Sequence, residues 1–148
     1  MKAWIFLRIA AVIALAYLAG HTAGAPWIPD KGADSLAVVA AMKGREIVVQ
    51  GAHDTYWGFY FGFGVIISVF LALAALLLWQ LASIARRGSA DVRPMVAAIL
   101  VAYVANAAVA WEYFFVGPVV LALAVVACLA IALLTASRPS ALAALSAR

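Results

Sequence analysis

Charge is the scarcest ingredient of this sequence. Asp, Glu, Lys and Arg together make up 11% of its 148 residues, while 69% are hydrophobic. A soluble domain is ordinarily about a quarter charged and about half apolar. A chain this short keeps too much surface exposed to hide such an excess in one core. A soluble globular fold is therefore excluded, and one integral membrane domain remains, with no length left for a second. Cysteine is nearly absent too. The single Cys128, in VVACLAIALL, can close no internal disulfide and stands in no metal-ligand spacing. It reads as a small apolar residue facing lipid or a neighbouring helix.

Histidine is almost as rare. His21 and His53 form no HxxxH or HExxH pattern, so no metal site is directly signalled. Both fall outside the apolar segments and on one side, which argues against haem held between helices. There is no Gly-rich phosphate loop, no motif-supported Ser/His/Asp series and no basic face for nucleic acid. No cofactor is implied, and nucleic acid is excluded as a partner. No internal duplication of the transporter-building kind is visible.

What is abundant is long apolar sequence. A spanning helix needs about 20 mostly apolar residues, and four segments qualify, at roughly 4–20, 57–84, 95–111 and 118–136. The last two are nearly continuous. Unbroken they would extend about 65 Å at 1.5 Å per residue, twice the hydrocarbon thickness. Gly117-Pro118 is expected to supply the break, glycine permitting the turn and proline suiting the first turn of the next helix. The first segment also resembles a signal peptide, with Lys2 before it and small residues at Ala23 and Ala25. Arg8 interrupts that apolar run and Pro26 directly follows the A-x-A site, so a retained helix is favoured.

The net charge of +4 is sorted by position. Placing Lys2, Arg8, Arg86, Arg87, Arg93, Arg138 and Arg148 on one side leaves Lys31, Lys43 and Arg45 on the other. The cation-rich side is the cytoplasmic one. The expected fold is thus all-α: an integral membrane four-helix bundle, N-in and C-in, forming a single domain over 1–148. A long outer loop, 21–56, joins the first two helices, and a cytoplasmic tail, 137–148, leaves the membrane at Arg138-Pro139. A short surface helix from Ser140 and a frayed tail are alternative readings of that end. Five of the six acids (Asp30, Asp34, Glu46, Asp54 and Glu112) fall on the outer side. Arg8, about one turn inside its helix, can snorkel to the headgroups.

A loop as long as 21–56 carries structure or function. PWIPDKGADS reads as a turn, after which Asp34 or Ser35 would cap a short helix running through Lys43. Leu36, Val39 and Met42 would share its apolar face, resting on the headgroups or the bundle mouth. EIVVQ is too short to assign, and Gly51 precedes the entry to the second spanning helix.

HDTYWGFYFGFG, residues 53–64, is the most unusual stretch. Its aromatics lie where a helix meets the outer interface, as do Trp111, Tyr113, Phe114 and Phe115, while Trp4 and Trp79 mark the inner level. Such girdles anchor helices at the headgroups; an aromatic-lined pocket for a flat or lipid-like ligand is the sharper alternative. Gly58 and Gly62 are four apart and share a helix face. Ala98, Ala102 and Ala105 make a similar small stripe on the third spanning helix. Close packing of the second spanning helix against a neighbour is expected from these residues.

Polar groups at or near membrane depth complete the candidates, since each needs a partner there. With both ends inside, His21, His53, Asp54, Tyr56, Asn106 and Glu112 would occupy one leaflet, under a lid made by the long loop. Two imidazoles and two carboxylates suit a divalent metal or a proton relay. The plainer alternative is that each caps a helix or faces interfacial water.

Several of these landmarks resemble a family of small bacterial four-helix membrane proteins without an assigned activity. They are HTAG at 21–24, Met42, YWGFYFGFG at 56–64 and LLWQLA at 77–82. The resemblance covers about the first 85 residues and implies a fold and a compartment, the bacterial inner membrane, but no activity. Three functions follow as expectations. The first is a non-enzymatic accessory or scaffold protein, or a binder of lipid or a hydrophobic ligand at the outer aromatic face. The second is a small redox or lipid-modifying enzyme using His21, His53, Asp54 and Glu112. The third is a subunit of an oligomeric transporter. The partners implied are membrane lipids and either a homo-oligomer or a larger membrane complex.

Overall fold

The computed structural model describes residues 2–24, 32–88 and 91–136. Among them are five helices and two strands: α1 (Ala3–Ala23), α2 (Ala33–Gly44), β1 (Glu46–Val49), β2 (Ala52–Thr55), α3 (Tyr56–Arg87), α4 (Arg93–Tyr113) and α5 (Val116–Thr135). The expected tail, 137–148, with its exit at Arg138-Pro139, and the prolines at 26 and 29 lie outside the described residues, as do Asp30 and Lys31.

Four of the helices, α1, α3, α4 and α5, are long and apolar enough to cross a membrane. No more than a third of each spanning window is buried inside the chain. The rest is apolar surface far larger than a soluble monomer exposes, as on Val69, Phe70, Val101 and Leu134. This is compatible with a multi-pass membrane protein. The segments expected from apolar length are all present, each longer at its N-terminal end by one to two residues. At 32 residues, α3 is about 48 Å long and exceeds the hydrocarbon core.

The chain divides into two compact units, Met1–Tyr17 with Ala72–Arg148, and Leu18–Leu71. In the first, the buried residues follow a coiled-coil-like period. α1 buries Ala3, Leu7, Ala10, Ala14 and Tyr17, with Ala11 flanking them, and α5 buries Val119, Ala122, Val125, Leu129 and Ala132. Steps of three and four keep one seam turned inward, and alanine at many of these positions lets backbones approach where no hydrophobic effect drives helices together. α4 packs along α5 through Val96, Tyr103, Ala107 and Ala110. The pair is antiparallel: Arg93, at the start of α4, donates from Nη1 to the carbonyl of Ala136, just past the end of α5, at 3.0 Å.

The α4–α5 turn differs from expectation. Phe114 and Phe115 make it in extended conformation, and Gly117 and Pro118 already belong to the first turn of α5. Proline is at home there because the first N–H groups of a helix lack intrahelical partners anyway. Glycine serves a different purpose from turning: a Cβ at 117 would come within 2.8 Å of the Phe115 ring.

The second unit holds the end of α1, then α2, the β1–β2 hairpin and the start of α3. EIVVQ, left unassigned above, is a strand with its turn. β1 pairs antiparallel with β2, matching Glu46 to Thr55 and Val48 to His53. Gln50 and Gly51 connect them with φ of 54° and 84°. Two successive left-handed residues match the twist of a two-residue hairpin. The cap of α2 is also corrected. Gly32 precedes the helix without a side-chain cap, and Asp34 lies inside the first turn. Val39 and Met42 are half-buried as expected, but Leu36 is exposed.

Candidate functional site

The hairpin leads straight into α3, and that junction fixes three of the expected residues. Thr55 Oγ1 accepts the Gly58 N–H at 3.0 Å, the N-cap bond that a hydroxyl supplies to an otherwise orphaned donor. Asp54 Oδ1 accepts the Thr55 N–H at 2.7 Å and sits at the positive end of α3. A methyl group at Gly58 would run into this carboxylate. His53 and Glu46 are diagonal neighbours on one face of the hairpin, and imidazole Nδ1 donates to Glu46 Oε1 at 2.6 Å. The pair is exposed, at 68% and 63%. An ionised carboxylate only accepts, so this bond places the His53 proton on Nδ1.

His21 is held elsewhere in the same unit. Its Nε2 donates to the Gly64 carbonyl at 3.0 Å, and neighbouring Thr22 Oγ1 meets Ser68 Oγ at 3.0 Å. These bonds tie the last turn of α1 to α3. His21, His53 and Asp54 thus each find a different partner. Among the described residues, no three His, Cys, Asp or Glu side chains gather as a metal ion requires.

Tyr56, the first residue of α3, borders an open groove of about 630 Å³ with Val38, Ala41, Met42, Gly44 and Arg45. The last two turns of α2, the residue after it and the start of α3 thus make its wall. Two contacts hold them together: the Tyr56 N–H donates to the Arg45 carbonyl at 3.3 Å, and Lys43 Nζ lies 5.0 Å from the centre of the Trp57 ring. A cation over an indole face adds about 0.5–1 kcal/mol at an exposed site. Tyr56, Phe59, Tyr60, Phe61 and Phe63 are exposed along the first turns of α3.

Asn106 and Glu112 belong to the other unit. Asn106 is exposed on α4 and accepts from Tyr17 Oη at 3.5 Å, a long bond; Glu112 is exposed in the last turn. Of the expected packing residues, Ala98 and Ala102 are exposed and Gly62 faces open space. The sustained close approach between spanning helices, among the described residues, is that of α4 and α5. The α4 seam runs through Val96, Tyr103, Ala107 and Ala110, a different face from the alanine stripe. Sequence reasoning also missed Arg45 and Val38 as groove residues and Glu46 as the partner of His53. A hairpin reading of EIVVQGAHDT would have paired Glu46 with Thr55, set it diagonal to His53 on one face, and put Arg45 beside Tyr56.

No protein-family model, curated protein or solved structure matches this chain.

Proposed function

We propose that this is a non-enzymatic, four-span membrane protein that binds a single-chain amphiphile in the groove between α2 and the start of α3. The observation that carries the reading is the groove's composition. Val38, Ala41, Met42 and the Tyr56 ring supply apolar walls, and Arg45 supplies one cation with no ion pair among the described residues. Apolar walls with one placed charge are the usual make-up of a site for an orientated hydrophobic ligand. An alkyl chain would lie along Val38 and Met42 with an anionic head on Arg45. The helices cross a bacterial inner membrane with both termini and residues 88–91 on the cytoplasmic side, and the groove faces outward.

The test is titration of the detergent-solubilised full chain with a fluorescent fatty acid. Met42→Trp, which fills the groove, should abolish the signal, and Arg45→Gln should weaken it about tenfold while leaving a fluorescent fatty alcohol unaffected. Equal binding by wild type and Met42→Trp would remove the proposal.

A second reading, self-assembly through α4, is favoured by Asn106. A carboxamide exposed on a spanning helix is costly in lipid; Tyr17 reaches only its oxygen, and a second copy would supply an acceptor for its NH2 group across the exposed Ala98 and Ala102 surface. Asn106→Leu should then shift the protein from dimer to monomer in native mass spectra; an unchanged monomer–dimer ratio would set this reading aside.

A further inference from the structure

A separate set of side chains lies where the first turns of α1 meet the last turns of α3. The Arg8 guanidinium carbon is 4.7 Å from the centre of the Trp79 ring and 5.6 Å from that of Trp4. Arg86 approaches the same Trp4 ring at 5.4 Å. Two guanidinium groups therefore converge on one indole, and like charges do not converge without a reason. Neither has a carboxylate partner: the ion pair found among the described residues is His53–Glu46. Of the two acids in this unit, Asp91 accepts the backbone N–H of Arg93, and Glu112 lies at the far end of α4. Arg8 Nε, moreover, is buried and has no hydrogen-bond partner among the described residues.

Aromatic rings engage the face of a guanidinium and leave its in-plane N–H groups for a planar or tetrahedral anion. We propose that Arg8 and Arg86 bind the phosphate of an anionic phospholipid headgroup, on a platform made by Trp4 and Trp79. The phosphate oxygens accept from the N–H edges of both arginines and relieve their mutual repulsion. The apolar surface beside the cluster argues for a lipid rather than a free ion. Ile5, Ile9 and Val12, within about one turn of Arg8 on α1, and Leu76, one turn from Trp79 on α3, are exposed and offer a bed for acyl chains. Basic pockets between spanning helices at the cytoplasmic interface are a recurrent way of holding such headgroups. This site shares no residue with the groove and does not rest on it.

Native mass spectrometry of the full chain, released from mild detergent, gives the test. The protein is titrated with phosphatidylglycerol, with phosphatidylcholine and with inorganic phosphate as competitor. Wild type should retain phosphatidylglycerol in preference to phosphatidylcholine. Arg8→Gln and Arg86→Gln should each lose about fivefold of that preference, and Arg87→Gln should lose none. Arg86→Lys, which keeps the charge but not the fork, should fall between. Arg8 is half-buried and its variant is open to misfolding; Arg86 is exposed, so its variant carries the test alone. Equal retention of both lipids by wild type, or full retention by Arg86→Gln, overturns the proposal. So does displacement of the lipid by millimolar phosphate, which would assign the site to a free anion.

Discussion

At the scale of single residues, the start of α3 shows how an apparent site residue becomes a structural one. Thr55 and Asp54 hold the Gly58 and Thr55 N–H groups at 3.0 and 2.7 Å. A hydroxyl cap is worth about 1 kcal/mol, and replacing it leaves a donor at the helix end to find water. Thr55→Ala should therefore destabilise the protein by about 1 kcal/mol, and Thr55→Ser should restore most of it. Unfolding of both variants in detergent, followed by helix circular dichroism, checks this; an unchanged Thr55→Ala midpoint would mean that the cap is redundant. The sequence hid the cap for a chemical reason. A capping box is recognised by Thr or Ser followed three residues on by Glu or Gln, and Gly58 stands in that place. Without the reciprocal side chain, Asp54 was legible only as an acid near an aromatic run. His21 was legible as the end of a helix but not as a donor to Gly64, because that bond depends on which α3 carbonyl the last turn of α1 reaches.

At the scale of elements, apolar length was enough to locate the four long helices, since 20 apolar residues have few alternatives to spanning. It said little about the short elements. β1 and β2 have four residues each, below the length at which alternation of faces becomes a pattern, and Gln-Gly is a weaker hairpin signal than Asn-Gly. The turn itself is sensitive to substitution. Gly51 has φ of 84°, where a side chain with a Cβ costs roughly 1–2 kcal/mol. Gly51→Val should open the hairpin and raise amide hydrogen exchange across β1 and β2 by about tenfold or more, whereas Gln50→Asn, better suited to its left-handed position, should slow it. Because Arg45 and Tyr56 flank the two strands, Gly51→Val should also weaken fatty-acid binding in the groove. Faster exchange with undiminished binding would show that the groove is held by the Lys43–Trp57 contact and not by the hairpin. The small-residue stripes do not single out the buried α4 face for a related reason: alanine is so frequent in these helices that several faces look equally suited to close packing. The face buried on α4 carries Val96, Tyr103, Ala107 and Ala110, and it is the larger Val96 and Tyr103, not an alanine stripe, that sets it apart.

At the scale of the whole molecule, the distribution of charge is the ground for the proposed direction in which the helices cross. Lys2, Arg8, Arg86, Arg87 and Arg93 lie at the start of α1, the end of α3 and the start of α4, and Arg8, Arg86 and the two tryptophans are in direct contact there. The hairpin side carries Lys43 and Arg45 together with Asp34, Glu46 and Asp54. In the orientation proposed above, the more positive segments are retained in the cytoplasm, which would put residues 88–91 inside and the hairpin outside. The chain's chemistry makes this directly measurable, because Cys128 can be replaced by alanine to leave a background free of thiols. In that background Ala52→Cys and Asp91→Cys each place one exposed thiol, on the hairpin and on the α3–α4 connection. In intact cells a membrane-impermeant maleimide should label Ala52→Cys and spare Asp91→Cys until the membrane is opened. The reverse pattern would put the arginine cluster in the outer leaflet. The groove would then face the cytoplasm and draw its ligand from there, and the phospholipid site would meet a leaflet with a different supply of anionic headgroups. Orientation is therefore the measurement to make before either ligand is pursued, since it determines which lipids each site can encounter.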